Sequence, residues 1–274
     1  MTDESKPLLN VEHLKVTYPT RSSILLRKIG ENVAVSDVNF EIRPGETVGL
    51  VGESGSGKST IARTIIGLVP AADGIIRFEG NDIAQLSLRQ MKDMRRDMQM
   101  IFQDPYASLN PRLTVRDIIA EGWRVHTGIV SRERWTAEAK DLMERVGLNP
   151  DYSDRYPHQF SGGQRQRIGI ARTLALRPKL IICDEAVSAL DVSVQAQVLN
   201  LLEDLQTDLG LSYLFISHDL SVIEHICDRV LVLNKGVVVE EGTARELFEN
   251  PQHPYTKALI AAVPVVRPWL EETS

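Results

Sequence analysis

The sequence has little cysteine and no long apolar run. Cys183 and Cys227 are too few for a disulfide framework or a cysteine-built zinc site. No apolar stretch approaches the roughly 18 residues that a membrane-spanning helix needs. Residues 1–10 are polar and acidic, unlike a secretory signal. These absences predict a cytoplasmic protein that does not itself cross a membrane.

Basic residues are also fewer than acidic residues. The chain carries 31 Lys and Arg against 37 Asp and Glu, a net charge of −6. A main role in gripping nucleic acid is therefore disfavoured, because such proteins present a basic surface. A length of 274 residues suffices for one large α/β domain or two small ones. No internal repeat and no Gly/Ser linker divides the chain.

Short apolar strands alternate with helices along most of the chain. Strands are predicted over residues 11–18, 33–42, 47–51, 98–102, 180–183 and 212–216, a hairpin over 230–239, and helices over 162–176 and 194–209. An irregular basic loop is expected at 19–32. Residues 105–160 are polar, helical and punctuated by prolines. The pattern predicts an α/β fold with a mainly parallel sheet, an antiparallel β part and a helical subdomain.

Residues 52–59, Gly-Glu-Ser-Gly-Ser-Gly-Lys-Ser, match the phosphate-loop pattern in full and lie between a predicted strand and a helix. The glycines let backbone N–H groups turn inward around phosphates at a helix N-terminus. Lys58 would add a point charge, and Ser59 a hydroxyl ligand for Mg²⁺. The alternative is a glycine-rich turn that matches by chance. The predicted ATP-binding residues here are Gly52, Ser54, Gly55, Ser56, Gly57, Lys58, Ser59 and Thr60.

The second functional pattern is a pair of acidic residues at the end of the apolar strand at 180–183. Asp184 and Glu185 follow it directly, at the sheet edge where open α/β folds bind ligands. Asp184 would belong to the Mg²⁺ shell, and Glu185 would orient or deprotonate the attacking water. Standing alone, such a pair would often be only a solvated strand end.

Residues 160–164, Phe-Ser-Gly-Gly-Gln, contain a helix capping box and, equally, an anion site at a helix N-terminus. With the phosphate loop and the Asp-Glu pair, this run resembles the signature of the ABC transporter ATPases, and the resemblance covers nearly the whole chain. It implies a P-loop NTPase core and a head-to-tail dimer. In that dimer the signature closes over the partner's ATP; its residues are Ser161, Gly162, Gly163 and Gln164.

Four more positions take roles from this resemblance. Gln103 matches the Q-loop glutamine, which contacts Mg²⁺ and the attacking water, and His218 matches the switch histidine at the γ-phosphate. With Glu185 they form the predicted catalytic set, and Ser59, Gln103 and Asp184 form the Mg²⁺ set. Asp191 matches the D-loop, although it could simply cap a helix. Tyr18 is the candidate for stacking on adenine, or else an edge residue of the core.

The end of the chain narrows the resemblance. Residues 250–256, Asn-Pro-Gln-His-Pro-Tyr-Thr, look like the tail of oligopeptide and dipeptide importer ATPases, and the loop at 21–32 resembles the F-type member of such pairs. We therefore predict a nucleotide-binding domain at 1–245, with a helical insertion at about 105–160, and an importer-type tail at 246–274. No cysteine follows Cys227, so the iron–sulfur centre of D-type members is not expected.

The resemblance implies an ATP-hydrolysing subunit, with ATP and Mg²⁺ as cofactors, that powers import of peptides. Nickel, glutathione, opines or oligosaccharides are alternative cargoes, and a soluble ABC ATPase acting on nucleic acid is less favoured. Implied partners are a D-type ATPase or a second copy, two permeases and a solute-binding protein, but no nucleic acid. The expected location is peripheral, at the cytoplasmic face of the inner membrane. Residues 103–112, with exposed Tyr106 and Leu109, are expected to receive a permease helix.

Overall fold

Residues 6–21 and 28–262 are described by a computed structural model, and within them ten strands form one sheet. The strands are β1 (Leu9–Arg21), β2 (Lys28–Ile42), β3 (Thr47–Val51), β4 (Asp73–Phe78), β5 (Asn81–Asp82), β6 (Met98–Ile101), β7 (Leu180–Asp184), β8 (Ser212–Ile216), β9 (Arg229–Asn234) and β10 (Val237–Thr243). Their order across the sheet is β5-β4-β1-β2-β10-β9-β3-β8-β7-β6.

Helices cover both faces of this sheet. They are α1 (Lys58–Ile65), α2 (Leu88–Asp97), α3 (Pro105–Ser108), α4 (Val115–Ile119), α5 (Glu121–Val125), α6 (Trp135–Arg145), α7 (Gly162–Leu174), α8 (Val192–Leu209), α9 (Leu220–Ile226), α10 (Ala244–Glu249) and α11 (Pro254–Ala261). Short 3₁₀ helices occur at Arg132–Arg134, Pro150–Tyr152 and Pro157–Gln159. No helix among the described residues is both long and apolar enough to span a membrane.

The five strands β9, β3, β8, β7 and β6 pair in parallel, whereas β5, β4, β1 and β2 pair antiparallel. All five residues of β8 are buried. Because side chains alternate across a strand, Tyr213 and Phe215 enter the apolar cluster on one face, and Leu214 and Ile216 enter the cluster on the other. A strand buried on both faces is almost continuously apolar, which is why the sequence pattern located β3 and β8 at their observed bounds.

The first hairpin is longer than predicted. The expected irregular loop at 19–32 is wrong at both ends, because Pro19 pairs with Glu31 and Thr20 with Gly30 in a continuing ladder. Pairing of β1 with β4 stops at Lys15, so Pro19 lies on an open edge where its missing N–H does not interrupt a second ladder. Residues 22–27, the centre of that loop, lie outside the described part.

The segment that follows β6 is helical, as predicted. Leu109 was expected to be exposed for docking, and this is wrong. Its side chain is only 3% exposed and belongs to the larger of the two apolar clusters, the one that contains Tyr213 and Phe215. The Arg172 Nη1 atom on α7 donates to the carbonyl oxygen of Ser108 at 2.7 Å, which holds this turn against the core. The Tyr106 side chain lies outside the described part. The predicted domain boundaries stay predictions.

Candidate functional site

The predicted phosphate loop connects β3 to α1 at the carboxyl ends of the parallel strands. Gly57 is the N-cap of α1 and has a left-handed φ of 112°. A Cβ atom there would lie 2.7 Å from the carbonyl oxygen of Ala34, and one at Gly52 would lie 2.1 Å from that of Leu233. Only glycine fits these two positions, and the tight path leaves the first N–H groups of α1 available to an anion.

Lys58 lies at the start of α1 with its side chain folded into the loop and only 6% exposed. Its Nζ atom donates to the carbonyl oxygens of Gly52 at 2.7 Å and Glu53 at 2.8 Å. Burial lowers the pKa of Lys58, while the carboxylates of Glu185 and Asp184 act in the opposite direction. The ammonium group is therefore held inside the loop, facing two acidic residues.

Ser59 and Asp184 meet, although 125 positions separate them in the chain. The Ser59 hydroxyl donates to Asp184 Oδ1 at 2.8 Å. Burial raises the pKa of Asp184, an effect opposed by the bond from Ser59 and by the charge of Arg63. A hydroxyl and a carboxylate oxygen side by side fit Mg²⁺, which prefers oxygen ligands and binds through one or two carboxylates plus phosphate oxygens.

Glu185 is the point at which the three predicted catalytic side chains converge. Its Oε2 atom accepts a hydrogen bond from Gln103 Nε2 at 2.7 Å and lies 3.4 Å from His218 Nδ1. Its backbone has a positive φ of 51°, and its N–H donates to the carbonyl oxygen of Ile216 at 2.9 Å. A non-glycine residue held in this region is strained, and such strain is concentrated at functional sites. The catalytic roles themselves stay predictions.

The signature residues begin helix α7. The Ser161 hydroxyl accepts from the N–H of Gln164 at 3.3 Å, and the Gln164 side chain accepts from the N–H of Ser161 at 3.0 Å. This is the predicted capping box. Both side chains are exposed at the helix N-terminus, so the capping role does not prevent the surface from meeting an anion. Action on a partner's ATP stays a prediction.

The D-loop residue lies beside the signature helix. The Asp191 carboxylate caps α8, accepting from the N–H of Val194 at 3.0 Å. That bond and the hydroxyl of Ser193 hold the pKa of Asp191 below its usual range. A Cβ atom at Gly163 would lie 2.3 Å from Val194 Cγ1. The starts of α7 and α8 are therefore in direct contact, and the glycine permits that approach.

Tyr18 lies in the antiparallel part, where it pairs with Asn32 and its side chain is 38% exposed. An exposed ring is accessible for stacking, but the adenine role stays a prediction.

The sequence pattern missed one residue of this site. The Tyr255 hydroxyl, on α11, accepts a hydrogen bond from the N–H of Glu53 at 3.0 Å. The tail was singled out by resemblance alone, and no local signal links it to a loop 202 positions earlier.

Family descriptions match two parts of the chain. The ABC transporter family matches residues 35–188, more than half of the length. The C-terminal region of oligopeptide/dipeptide transporters matches residues 239–274. That second match begins within β10, seven positions before the predicted tail boundary at 246.

Two curated relatives show how far the likeness extends. The oligopeptide transport ATP-binding protein AppF of Bacillus subtilis (strain 168) is 54% identical over 261 residues, 95% of this chain and 79% of that protein. The glutathione import ATP-binding protein GsiA of Escherichia coli (strain K12) is 55% identical over 265 residues, 97% of this chain and 42% of that protein. The chain thus spans less than half of the glutathione import protein.

Two solved structures have a fold similar to that of this chain. The ATP-binding cassette MJ0796, in a dimeric post-hydrolysis state bound to ADP and Pi, superposes with a TM-score of 0.76 at 28% identity, covering 86% of this chain and 99% of that one. The cbiO1 protein of Clostridium perfringens, part of the ABC transporter complex cbiONQ, gives 0.75 at 26% identity, covering 90% and 92%. These likenesses confirm the predicted fold class and the prediction of an ATP-hydrolysing transporter subunit. The chain belongs to the ABC transporter family as one of its ATP-binding subunits.

Proposed function

We propose that this subunit hydrolyses ATP to energise import of a peptide or a peptide-like small solute such as glutathione. The cargo class is supported by the match of the tail and by the transport functions of the two relatives. Nickel, opines and oligosaccharides are the other cargoes of the branch that the sequence resembles. The single observation that carries the hydrolytic role is the meeting of Glu185 with Gln103 and His218 beside the Lys58 loop.

The proposed mechanism uses these contacts directly. N–H groups of the loop and of the first turn of α1 hold the β- and γ-phosphates, and Lys58 supplies a positive charge to them. Ser59 and Asp184, with Gln103 nearby, would hold Mg²⁺, which neutralises charge developing on the phosphates. Glu185 orients a water molecule and accepts its proton as the oxygen attacks the γ-phosphorus. The bond to the bridging oxygen breaks, giving ADP and phosphate.

The site is proposed to be completed by a second ATPase, either a D-type partner or another copy of this chain. The exposed start of α7 at Ser161 would approach the partner's γ-phosphate, while His218 contacts the phosphate held by its own chain. The dimeric state of the solved relative supports this arrangement. Closing two such interfaces on ATP and reopening them after hydrolysis would supply the transport stroke.

Two permeases and an extracytoplasmic solute-binding protein are the remaining proposed partners, which places the subunit at the cytoplasmic face of the inner membrane. The docking surface is proposed to be a groove of about 340 Å³ lined in part by Leu68, Phe102, Gly122 and Leu176. Leu68 is 54% exposed and Phe102 is 40% exposed, and Phe102 directly precedes Gln103. We propose this groove instead of the surface predicted around Leu109, because the Leu109 side chain is buried.

Glu185→Gln tests the hydrolytic role. We expect ATP affinity to be retained and turnover to fall by at least about 100-fold, because the amide keeps the shape but cannot accept the proton. Glu79→Gln is a matched control, since that carboxylate pairs with Lys179 at the surface. Turnover by Glu185→Gln above about a tenth of the normal rate contradicts the proton-acceptor role.

The docking surface and the cargo have separate tests. Leu68→Asp with Phe102→Asp should release the subunit from permease-containing membranes in co-sedimentation, whereas Leu209→Asp, at an exposed apolar site at the end of α8, should not. Retention of the double variant would place docking elsewhere. For cargo, uptake of a labelled tripeptide and of labelled glutathione is compared in cells with and without the chain. If neither the uptake of the tripeptide nor the uptake of glutathione depends on the chain, the proposed cargo class is excluded.

A further inference from the structure

The phosphate loop is tied to the C-terminal tail at Glu53. The N–H of Glu53 donates to the Tyr255 hydroxyl at 3.0 Å. The carbonyl oxygen of the same residue accepts from Lys58 Nζ at 2.8 Å and from the N–H of Ser56 at 3.1 Å. Both backbone polar groups of Glu53 are therefore engaged, one by the tail and the other by the loop's own lysine and serine.

The tyrosine that makes this contact is held in place by its neighbours. His253 caps α11, with Nδ1 accepting from the N–H of Tyr255 at 3.1 Å. The carboxylate of Glu240, on β10, accepts from the N–H groups of Gln252 at 2.6 Å and His253 at 3.0 Å. The Tyr255 ring is half-buried against the larger apolar cluster. The hydroxyl is thus an acceptor positioned from the sheet, without dependence on the loop.

Without this contact, the phosphate loop would have more conformations to give up when phosphates bind. Gly55 has a φ of 81°, and a Cβ added there would meet nothing within 4 Å. Ser54 and Gly55 are exposed, so no packing fixes this turn from outside. An anchor on Glu53 reduces the number of conformations that must be given up when phosphates bind, and reducing that entropy loss raises affinity.

We propose that Tyr255 is a positioning residue for nucleotide binding: its hydroxyl fixes the entry turn of the phosphate loop and couples docking of the tail helix to occupancy of the loop. The inference rests on the nucleotide site proposed above. Coupling of this kind is reciprocal. Nucleotide that orders the loop must therefore also stabilise α11 against local opening.

Tyr255→Phe tests the hydroxyl while keeping the ring. One neutral hydrogen bond corresponds to about a 3- to 10-fold effect, so the Kd for ADP and for a non-hydrolysable ATP analogue should rise by about that factor. KM for ATP should rise similarly with a smaller change in kcat, and the melting temperature should change little. Tyr152→Phe is the matched control, because its ring packs on Phe160 in the helical segment. It should bind nucleotide like the wild type.

A second readout follows the coupling in the full chain. Lys257 lies exposed on α11, so trypsin cleavage after it reports opening of the tail helix. Nucleotide should slow that cleavage in the wild type and have little effect on it in Tyr255→Phe.

The outcomes separate the two levels of the inference. Wild-type Kd values and wild-type protection of Lys257 in Tyr255→Phe overturn the positioning role. The same holds if only Tyr255→Ala, which also removes the ring, weakens binding, since packing would then explain the effect. Lys58→Ala is measured in parallel. If it binds nucleotide as the wild type does, the proposed nucleotide site itself is wrong, and the role of Tyr255 is overturned with it.

Discussion

Gly163→Ala is the substitution for which the structure makes the sharpest stability prediction. The added methyl would lie 2.3 Å from Val194 Cγ1, well inside contact distance, while the Cβ and Cγ2 atoms of Val194 lie at an acceptable 3.6 and 3.7 Å. Relief requires Val194 to leave its rotamer or α7 to move away from α8. Valine in a helix strongly prefers one χ1 value, so neither adjustment is free.

The expected magnitude follows from two opposing effects. Overpacking of this kind costs about 1–3 kcal/mol, and the better helix propensity of alanine returns up to about 1 kcal/mol. The net destabilisation should be about 1–2 kcal/mol. At about 2–4 °C per kcal/mol for a domain near this size, the melting temperature should fall by roughly 2–8 °C.

Three further variants make the test specific: Gly169→Ala, Val194→Ala and the double variant of Gly163→Ala with Val194→Ala. Gly169→Ala is the matched control on the same helix, because a Cβ there meets nothing within 4 Å; it should be neutral or slightly stabilising. In the Val194→Ala background the clash is absent, so Gly163→Ala should no longer destabilise. Scanning calorimetry of the four variants and the wild type measures this coupling. A cost of Gly163→Ala that persists unchanged without the valine side chain would refute the contact argument.

Three other predictions concern buried groups. Trp123→Phe should lower the free energy of unfolding by about 1–3 kcal/mol, because the indole N–H donates to the Ala175 carbonyl oxygen at 2.7 Å; unchanged denaturant unfolding contradicts this. Burial raises the pKa of the Cys183 and Cys227 thiols, so iodoacetamide at pH 8 should label both only after unfolding, and rapid native labelling by mass spectrometry would refute it. Burial raises the pKa of Asp184 from its ordinary 3.8, so the folded state holds that proton more tightly and loses stability as pH rises above about 3.8. Asp184→Asn should therefore melt higher than the nucleotide-free wild type at pH 7, with the gap closing toward pH 4; a constant gap contradicts the burial argument.

The gain expected for Asp184→Asn has a functional counterpart. The carboxylate is kept in a place that disfavours its charge because that charge is what a magnesium ion would use. Stability and function pull in opposite directions at such a residue. Nucleotide turnover by Asp184→Asn should accordingly fall while its thermal stability rises.

The local sequence pattern determined the parts of this protein whose cause is local. The phosphate loop was identifiable because the turn requires glycine at Gly52 and Gly57, and the capping box at Ser161 because its bonds span three residues. Strands β3 and β8 were located at their observed bounds because burial on both faces makes them almost continuously apolar. Family resemblance added the identities of Gln103 and His218, which no local rule distinguishes from ordinary strand-end residues.

Only the tertiary structure decided which distant groups meet. Gln103 reaches Glu185 across 82 positions, and Tyr255 reaches Glu53 across 202; such contacts depend on strand order and helix packing rather than on neighbouring residues. The same reason explains the error at Leu109, where two flanking prolines suggested an exposed loop. Packing of the helical segment against α7 buries that side chain. Burial of a single loop residue depends on which other elements of the fold pack against it.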